Sequence, residues 1–465
     1  LSSDPFYIYG NSQKPIQVRA ERIALYLGAG IIEAWNKKHE VYYVFFYKHD
    51  FLTAAKAKKL RRHSFIESAF KQGMVFDAPH PFINVLLSTN HPCRITRLDP
   101  LLKKLDKRYT PQEKAFILTF FESFISKKRL FHEIKSIFYV YRRNGQNLMA
   151  YQIVQILMDF APNHDLVRQL RSDLNFKAYA DMYQSQSDQI LAKDLIFAEK
   201  RFYSKKENDH FFQQLMTLLN EQSRWIDMIG LYVGKLIKTP SEKYYDPLIK
   251  LLDKHLNEQQ TMQILENLCR QSPHYIPLKQ DLLKKYIKLN KLENVLNMVD
   301  PSDFNLDASQ TEPIREMLEQ LDLETRTLTS EQLQSLFKIV IDFHPKKAAD
   351  LIHSYISTLL KTNDPVFVRE LLKPFIEHRA VRPVYSKVDR LITFSDDLDQ
   401  MQVLGELYYE FSQPEQAIEC FSWEMELKPD DPTPLKWLSK VYHEMGMKQE
   451  SKAYKQLLTN LQKRA

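Results

Sequence analysis

The sequence predicts a mainly α-helical protein: an array of helical hairpins behind a small basic N-terminal domain that reads as α+β, with a wholly helical domain as the alternative. Three observations carry this. Glycine occurs nine times in 465 residues, and sheets, hairpin turns and phosphate loops are the structures that need it most. Residues 398–431 place two apolar helical faces on either side of a short turn, and the same spacing reappears elsewhere in the chain. The charge is divided: residues 1–130 hold 22 Lys and Arg against 11 Asp and Glu, whereas 131–465 hold 43 against 47. Two regions with different surfaces follow from that asymmetry.

The N-terminal domain, 1–130, reads in three pieces. PIQVRAERIALYLGAGIIEAWNKKH (15–39) predicts a helix, with Ile23, Leu27, Ile31 and Trp35 at four-residue steps. VYYVFFY (41–47), β-branched and aromatic, predicts a buried strand. LTAAKAKKLRRHSFIESAFKQG (52–73) predicts a second helix, basic at its start and apolar through Phe65, Ile66, Ala69 and Phe70. On that helix Lys58, Arg61 and Arg62 share a face and, with Lys56 and Lys59, form a candidate phosphate-binding cluster that makes nucleic acid a candidate partner. A solvated face explains the same charges. No helix-turn-helix signature is present, so sequence-specific DNA reading is not expected.

Catalytic spacing is missing from the sequence. His39, His49, His63, His80 and His91 gather in the first hundred residues, and His91 with Cys93 or His49 with Asp50 could be imagined as metal ligands. Neither pair belongs to an H-E-x-x-H or a doubled C-x-x-C pattern, so surface or loop histidines are expected. LGAG (27–30) lies inside a helical pattern without a third glycine or a Lys-Ser/Thr, and helix-packing glycines explain it. No Gly-x-Ser-x-Gly elbow or Walker motif occurs. The expectation is a non-enzyme with no catalytic residues, metal or cofactor. Cys93, Cys269 and Cys420 are unpaired in spacing, which points to a reducing cytoplasm. No run reaches the roughly 20 apolar residues that span a bilayer, so no membrane insertion is expected. The opening LSSDPFYIYG does not read as a signal peptide, and a start without Met implies that a few native residues precede it.

The repeat is clearest in MQVLGELYYEFSQPEQAIECFSWEMELKP (401–429). Met401, Leu404, Tyr408 and Phe411 share a helical face, a turn follows at Ser412–Pro414, and Ala417, Phe421 and Glu424 share the next face before Pro429. Small Ala417 admits the neighbouring helix, Phe421 fills the gap, and Pro429 ends the unit. Residues 131–164 repeat the plan with Ile137, Phe138, Tyr141, Gly145, Ala150, Val154 and Pro162. Residues 276–309 give Leu282, Leu283, Tyr286, Asn290, Val295 and Val299, with Asp307 in the proline's place. Weaker units occupy 209–242 and 242–275, ending near Pro240 and Pro273, and 432–465 reads as a C-terminal cap with Leu438, Tyr442 and Gly446. Segments 165–208 and 301–397 read as degenerate helical hairpins, with a candidate hinge in the acidic stretch 300–329 around Pro301 and Pro313.

The spacing L-G-x2-Y, A-x3-F and P at 404–429 closely resembles the tetratricopeptide repeat, or TPR, with Met401 in place of its tryptophan. The resemblance implies a right-handed α-solenoid over 131–300 and 398–465, with the degenerate hairpins between. It also implies a concave groove lined by the first helix of each unit, binding a protein or peptide. Placed on that register, the candidate groove residues are Lys135, Tyr139, Arg142, Arg143, Gln213, Thr217, Asn220, Lys284, Lys288 and Lys440, with Gln214 and Lys436 beside them. Amides would satisfy an extended peptide backbone, and Lys and Arg would take carboxylates. The family's Lys/Asn carboxylate clamp is not expected, because Tyr139 stands where it would need Asn.

Two functions fit. One is a cytoplasmic TPR scaffold or adaptor without chemistry. The alternative is a peptide- or partner-gated regulator, similar in layout to peptide-sensing TPR regulators, whose basic N-terminal domain binds nucleic acid.

Overall fold

The computed structural model describes residues 4–10, 15–57, 59–89, 92–289, 291–298, 308–321, 323 and 328–463. Lys58, His91, Asn290, Val299, Pro301 and Asp307 lie outside the described residues. The chain forms two compact units, Leu1–Tyr275 and Ile276–Ala465. It is mainly helical, with an α+β region at its N-terminus.

The first unit opens with β1 (Phe6–Tyr9), β2 (Ile16–Tyr26), β3 (Ala29–Asn36), β4 (Val41–Tyr47) and β5 (Asp50–Lys56). Next come α1 (Phe65–Gln72), β6 (Met74–Asp77), α2 (Pro81–Thr89) and β7 (Cys93–Arg94). Among the described residues the strands make one sheet in the order β5-β4-β3-β2-β1-β7, with β6 paired to β2. The helix expected over 15–39 is therefore a β-hairpin. Tyr26 pairs with Ala29, and Leu27 and Gly28 turn between them with φ of 47° and 77°. This two-residue turn, with both φ positive, matches the twist of the strands it joins. Four-residue steps caused the misreading, because four is even: residues so spaced share a face of a strand as well as of a helix. The glycines of LGAG are hairpin residues, not helix-packing ones. Gly28 holds the turn, and a Cβ there would meet the Tyr47 ring at 3.0 Å. The strand expected at 41–47 is β4, buried along nearly its whole length.

The second expected helix, 52–73, is also corrected. Its first part continues β5, and helix begins at α1, where Ser64 caps the first turn by accepting from the Glu67 amide.

The unit continues through α3 (Leu98–Arg108), α4 (Pro111–Thr119), α5 (Lys127–Arg143), α6 (Asn147–Phe160), α7 (Asp165–Arg171), α8 (Lys177–Ser185) and α9 (Asp188–Lys193). It ends with α10 (Leu195–Ser204), α11 (Asp209–Glu221), α12 (Trp225–Lys238), α13 (Glu242–His255) and α14 (Glu258–Gln271). One face of the sheet, with Ile31, Tyr43, Phe45 and Tyr47, buries against Ile66, Leu101, Leu105, Leu118 and Phe121, and the same core continues into α5 and α6 through Phe138 and Leu157. The other face receives α2, where Gly30 lies under Leu86, and α12, where Gly230 sits against Leu25 and Met74. Two hairpin turns meet a buried ionic cluster at the start of α12. Arg224, 2% exposed, donates to both oxygens of Glu199 at 2.6 and 2.8 Å and to Asp227 at 3.2 Å. His49, in the β4–β5 turn, lies 3.3 Å from Asp227, and Gly28 leaves room for the Arg224 guanidinium.

The second unit is helical among its described residues: α15 (Ile276–Lys288), α16 (Leu292–Met298), α17 (Ala308–Glu319), α18 (Ser330–Phe343), α19 (Ala348–Leu359), α20 (Pro365–Leu372), α21 (Arg382–Thr393), α22 (Met401–Glu410), α23 (Pro414–Leu427), α24 (Pro432–Glu444) and α25 (Lys448–Gln462). Pro313, expected in an irregular connection, falls inside α17. From α20 onward each helix packs on its neighbours in sequence. The close approach of α22 and α23 is set by Gly405, where a Cβ would stand 2.6 Å from the Phe421 ring, and Ala417 and Phe421 are fully buried. Gly446, with φ of 79°, turns α24 into α25, as Gly145, with φ of 71°, turns α5 into α6. Among the described residues no helix is long and apolar enough to cross a membrane.

Candidate binding surfaces

The candidate groove residues sit on helices, as expected, but several are already engaged. On α5, Lys135 lies 6.0 Å from the Tyr139 ring, and Arg143 Nε donates to the Tyr139 carbonyl at 3.2 Å. Arg142 pairs with Asp173 at 3.2 Å and lies 5.8 Å from the Phe138 and Phe176 rings. Its charge is thus answered within the unit. Gln213, Thr217 and Asn220 are exposed on α11, and Thr217 donates to the Gln213 carbonyl at 3.0 Å. Helix α5 packs on α4 and α6 while α11 packs on α10 and α12, so the two sets belong to separate helix pairs.

In the second unit Lys284 is 3.6 Å from Asp281, and Lys288 is exposed near the end of α15. The C-terminal pairs gather more. Lys440 lies 4.4 Å from the Tyr409 ring and 4.7 Å from the Trp437 ring. Trp437 in turn stacks on Phe421 at 5.4 Å, and the Tyr409 hydroxyl meets Glu444 at 2.9 Å. Lys436, one turn before Lys440, is exposed. The result is an aromatic patch, carried by α22 and α24, with the Lys440 ammonium over it.

The candidate phosphate cluster does not form as expected. Lys56 ends β5 and pairs with Glu40 at 2.5 Å. Lys59, Arg61 and Arg62 are exposed in the connection to α1 rather than on a helical face. The helical conformation expected for the charge run is not found, because β5 extends through Lys56 and α1 begins only at Phe65.

Among the described histidines of the first hundred residues, one differs from expectation. His80 is buried, stacked on Phe76 at 4.6 Å, and its Nδ1 accepts from the Phe82 amide at 3.3 Å; burial pushes its pKa down to about 3. Burial likewise pushes the Cys93 thiol up to about 11 and the Cys420 thiol up to about 12. Neither thiol is a thiolate near neutral pH.

A cleft of about 820 Å³ lies elsewhere in the first unit, walled by α10, α6, α4 and the start of α1. Tyr26, Phe65, Phe116, Phe160 and Phe197 give it an apolar lining, and Lys127, Lys200, Arg201 and Lys205 face it with charge. Sequence reasoning passed over it, because 165–208 does not hold the repeat spacing. The available signal was the helical face Phe197, Arg201, Lys205, at four-residue steps.

No protein-family model matches the chain, and no curated protein matches it. Among solved structures, the structure of Naa15/Naa10 bound to HypK-THB matches at 10% identity and a TM-score of 0.21, over 79% of this chain and 60% of that one. The chain therefore spans less than two thirds of the chain it matches.

Proposed function

We propose that this chain is a non-catalytic scaffold or adaptor of the TPR type, taking a protein or peptide partner on the first helices of its hairpins, in a reducing cytoplasm. The observation that carries the reading is the patch on α22 and α24. There the Gly405–Phe421 approach closes the α22–α23 hairpin, Trp437 of the next helix pair stacks on Phe421, and Lys440 lies over the Tyr409 and Trp437 rings. Aromatic rings with adjacent ammonium groups suit a partner segment carrying an apolar side chain next to a carboxylate. The raised pKa of the buried Cys93 and Cys420 thiols and the lack of any metal or nucleophile spacing in the sequence support a role without chemistry.

The test is capture of partners from the source cell by the tagged full-length chain beside a Lys436→Glu, Lys440→Glu variant. Both lysines are exposed, so the variant keeps its fold and helicity. The expected result is a partner lost from the variant alone. A partner bound equally by both chains overturns the assignment to this surface.

A further inference from the structure

Arg224 and Arg201, the first buried and the second half-buried, differ in one respect. Arg224 is enclosed by carboxylates. Arg201, on α10, has Nε and Nη1 buried with no hydrogen-bond partner, and the contact its guanidinium makes is with the Phe211 ring, 5.5 Å away. Guanidinium nitrogens that are buried without an acceptor are costly, and native structures keep such groups where something else supplies the acceptor. Arg201 lines the 820 Å³ cleft, which falls within the size range of small-ligand sites.

The remaining charges on the cleft are settled. Lys200 pairs with Asp159, and Lys127 is 3.6 Å from Glu122. Asp194 accepts from Gln112 at 2.8 Å and from the Tyr183 hydroxyl at 2.5 Å. Lys205, one turn beyond Arg201 at the end of α10, is exposed and lies 5.0 Å from the Phe211 ring that Arg201 also contacts. The cleft thus has an unanswered positive charge beside an apolar wall that includes Phe116 and Phe160.

We propose that this cleft binds a carboxylate carried on an apolar body, with the carboxylate on Arg201, Lys205 as second cation, and the apolar part against Phe116 and Phe160. A monoanion suits it better than a phosphate dianion, because Asp159, Glu122 and Asp194 line the same space. The planar guanidinium matches a carboxylate in shape as well as charge. A peptide C-terminus and a free organic acid share this chemistry. The site is independent of the α22–α24 patch, which lies in the second unit.

Calorimetric titration of the full-length chain with three probes tests it: N-acetyl-Phe-Ala-Leu as the free acid, the same peptide as its C-terminal amide, and 4-phenylbutyrate. At least one acid is expected to bind saturably, and the peptide amide about ten-fold or more weaker than the peptide acid where that acid binds. Binding by the peptide acid alone identifies a peptide terminus as the source, and equal or tighter binding by 4-phenylbutyrate identifies a small acid. Arg201→Met should abolish acid binding while leaving the thermal midpoint unchanged or raised, since it removes two buried nitrogens that have no acceptor. Lys205→Glu, at an exposed position, should weaken it several-fold with the thermal midpoint little changed. The proposal is overturned if neither acid binds, if Arg201→Met binds as the parent does, if Lys205→Glu leaves acid affinity unchanged, or if the amide equals the acid.

Discussion

Arg224 shows what a buried charge needs in this fold: two carboxylates, one of them bidentate, and a glycine turn that leaves space. Breaking such a cluster leaves Glu199 and Asp227 buried without their cation. Arg224→Leu is therefore predicted to destabilise the first unit by about 3–5 kcal/mol, measured by urea unfolding; a loss below about 1 kcal/mol would mean that the cluster behaves like a surface pair. Glu199 and Asp227 stand on different helices from the turn that holds His49, and nothing in their spacing along the chain announces the meeting. His80 makes the pH prediction. Its folded pKa of about 3 lies below the ordinary 6.5, so the unfolded chain takes up the proton first. The stability this histidine gives is complete above pH 6.5 and is lost as pH falls toward 3. Unfolding at pH 7 and at pH 4.5 should show a smaller difference for His80→Phe than for the parent chain, and an equal difference would show that His80 is not the sensing group.

Elements were legible where a turn residue and an apolar period agreed. Gly145 and Gly446 mark turns at positive φ, and the pairs α5–α6, α22–α23 and α24–α25 fall where the spacing put them. The sheet was less legible for two physical reasons. Its long hairpin carries apolar residues at even steps, which do not separate helix from strand, and its turns use left-handed Leu27, His39, Lys48 and His49 in place of most of the expected glycines. Low glycine content was therefore a weaker argument against a sheet than composition suggests. Gly405 offers a sign test for the α22–α23 pair. In an open helix, Gly→Ala gains about 1 kcal/mol. Here the added methyl meets the Phe421 ring at 2.6 Å, so Gly405→Ala should destabilise by about 1–3 kcal/mol. Phe421→Leu in the same chain should recover part of the loss. A stabilising Gly405→Ala, by thermal unfolding, would show that the helices do not approach this closely.

At the scale of the molecule, the core beneath the sheet crosses residue 130 without a break, from Phe45 and Phe121 to Phe138 and Leu157. Residues 1–130 alone would expose that surface and are predicted to remain unfolded or aggregate, whereas 1–275 should fold by itself. Circular dichroism and limited proteolysis of the two fragments check this, and a stable 1–130 fragment would contradict it. Charge asymmetry separated the two regions by surface, but a shared interior is set by packing that composition does not encode. The proposed recognition surface lies on α22 and α24. The most direct measurement is hydrogen–deuterium exchange of the full-length chain with and without the partner it captures. The account predicts slowed exchange on α22 and α24 when the partner binds; unchanged exchange there, with protection confined to the sheet or to α10, would contradict it.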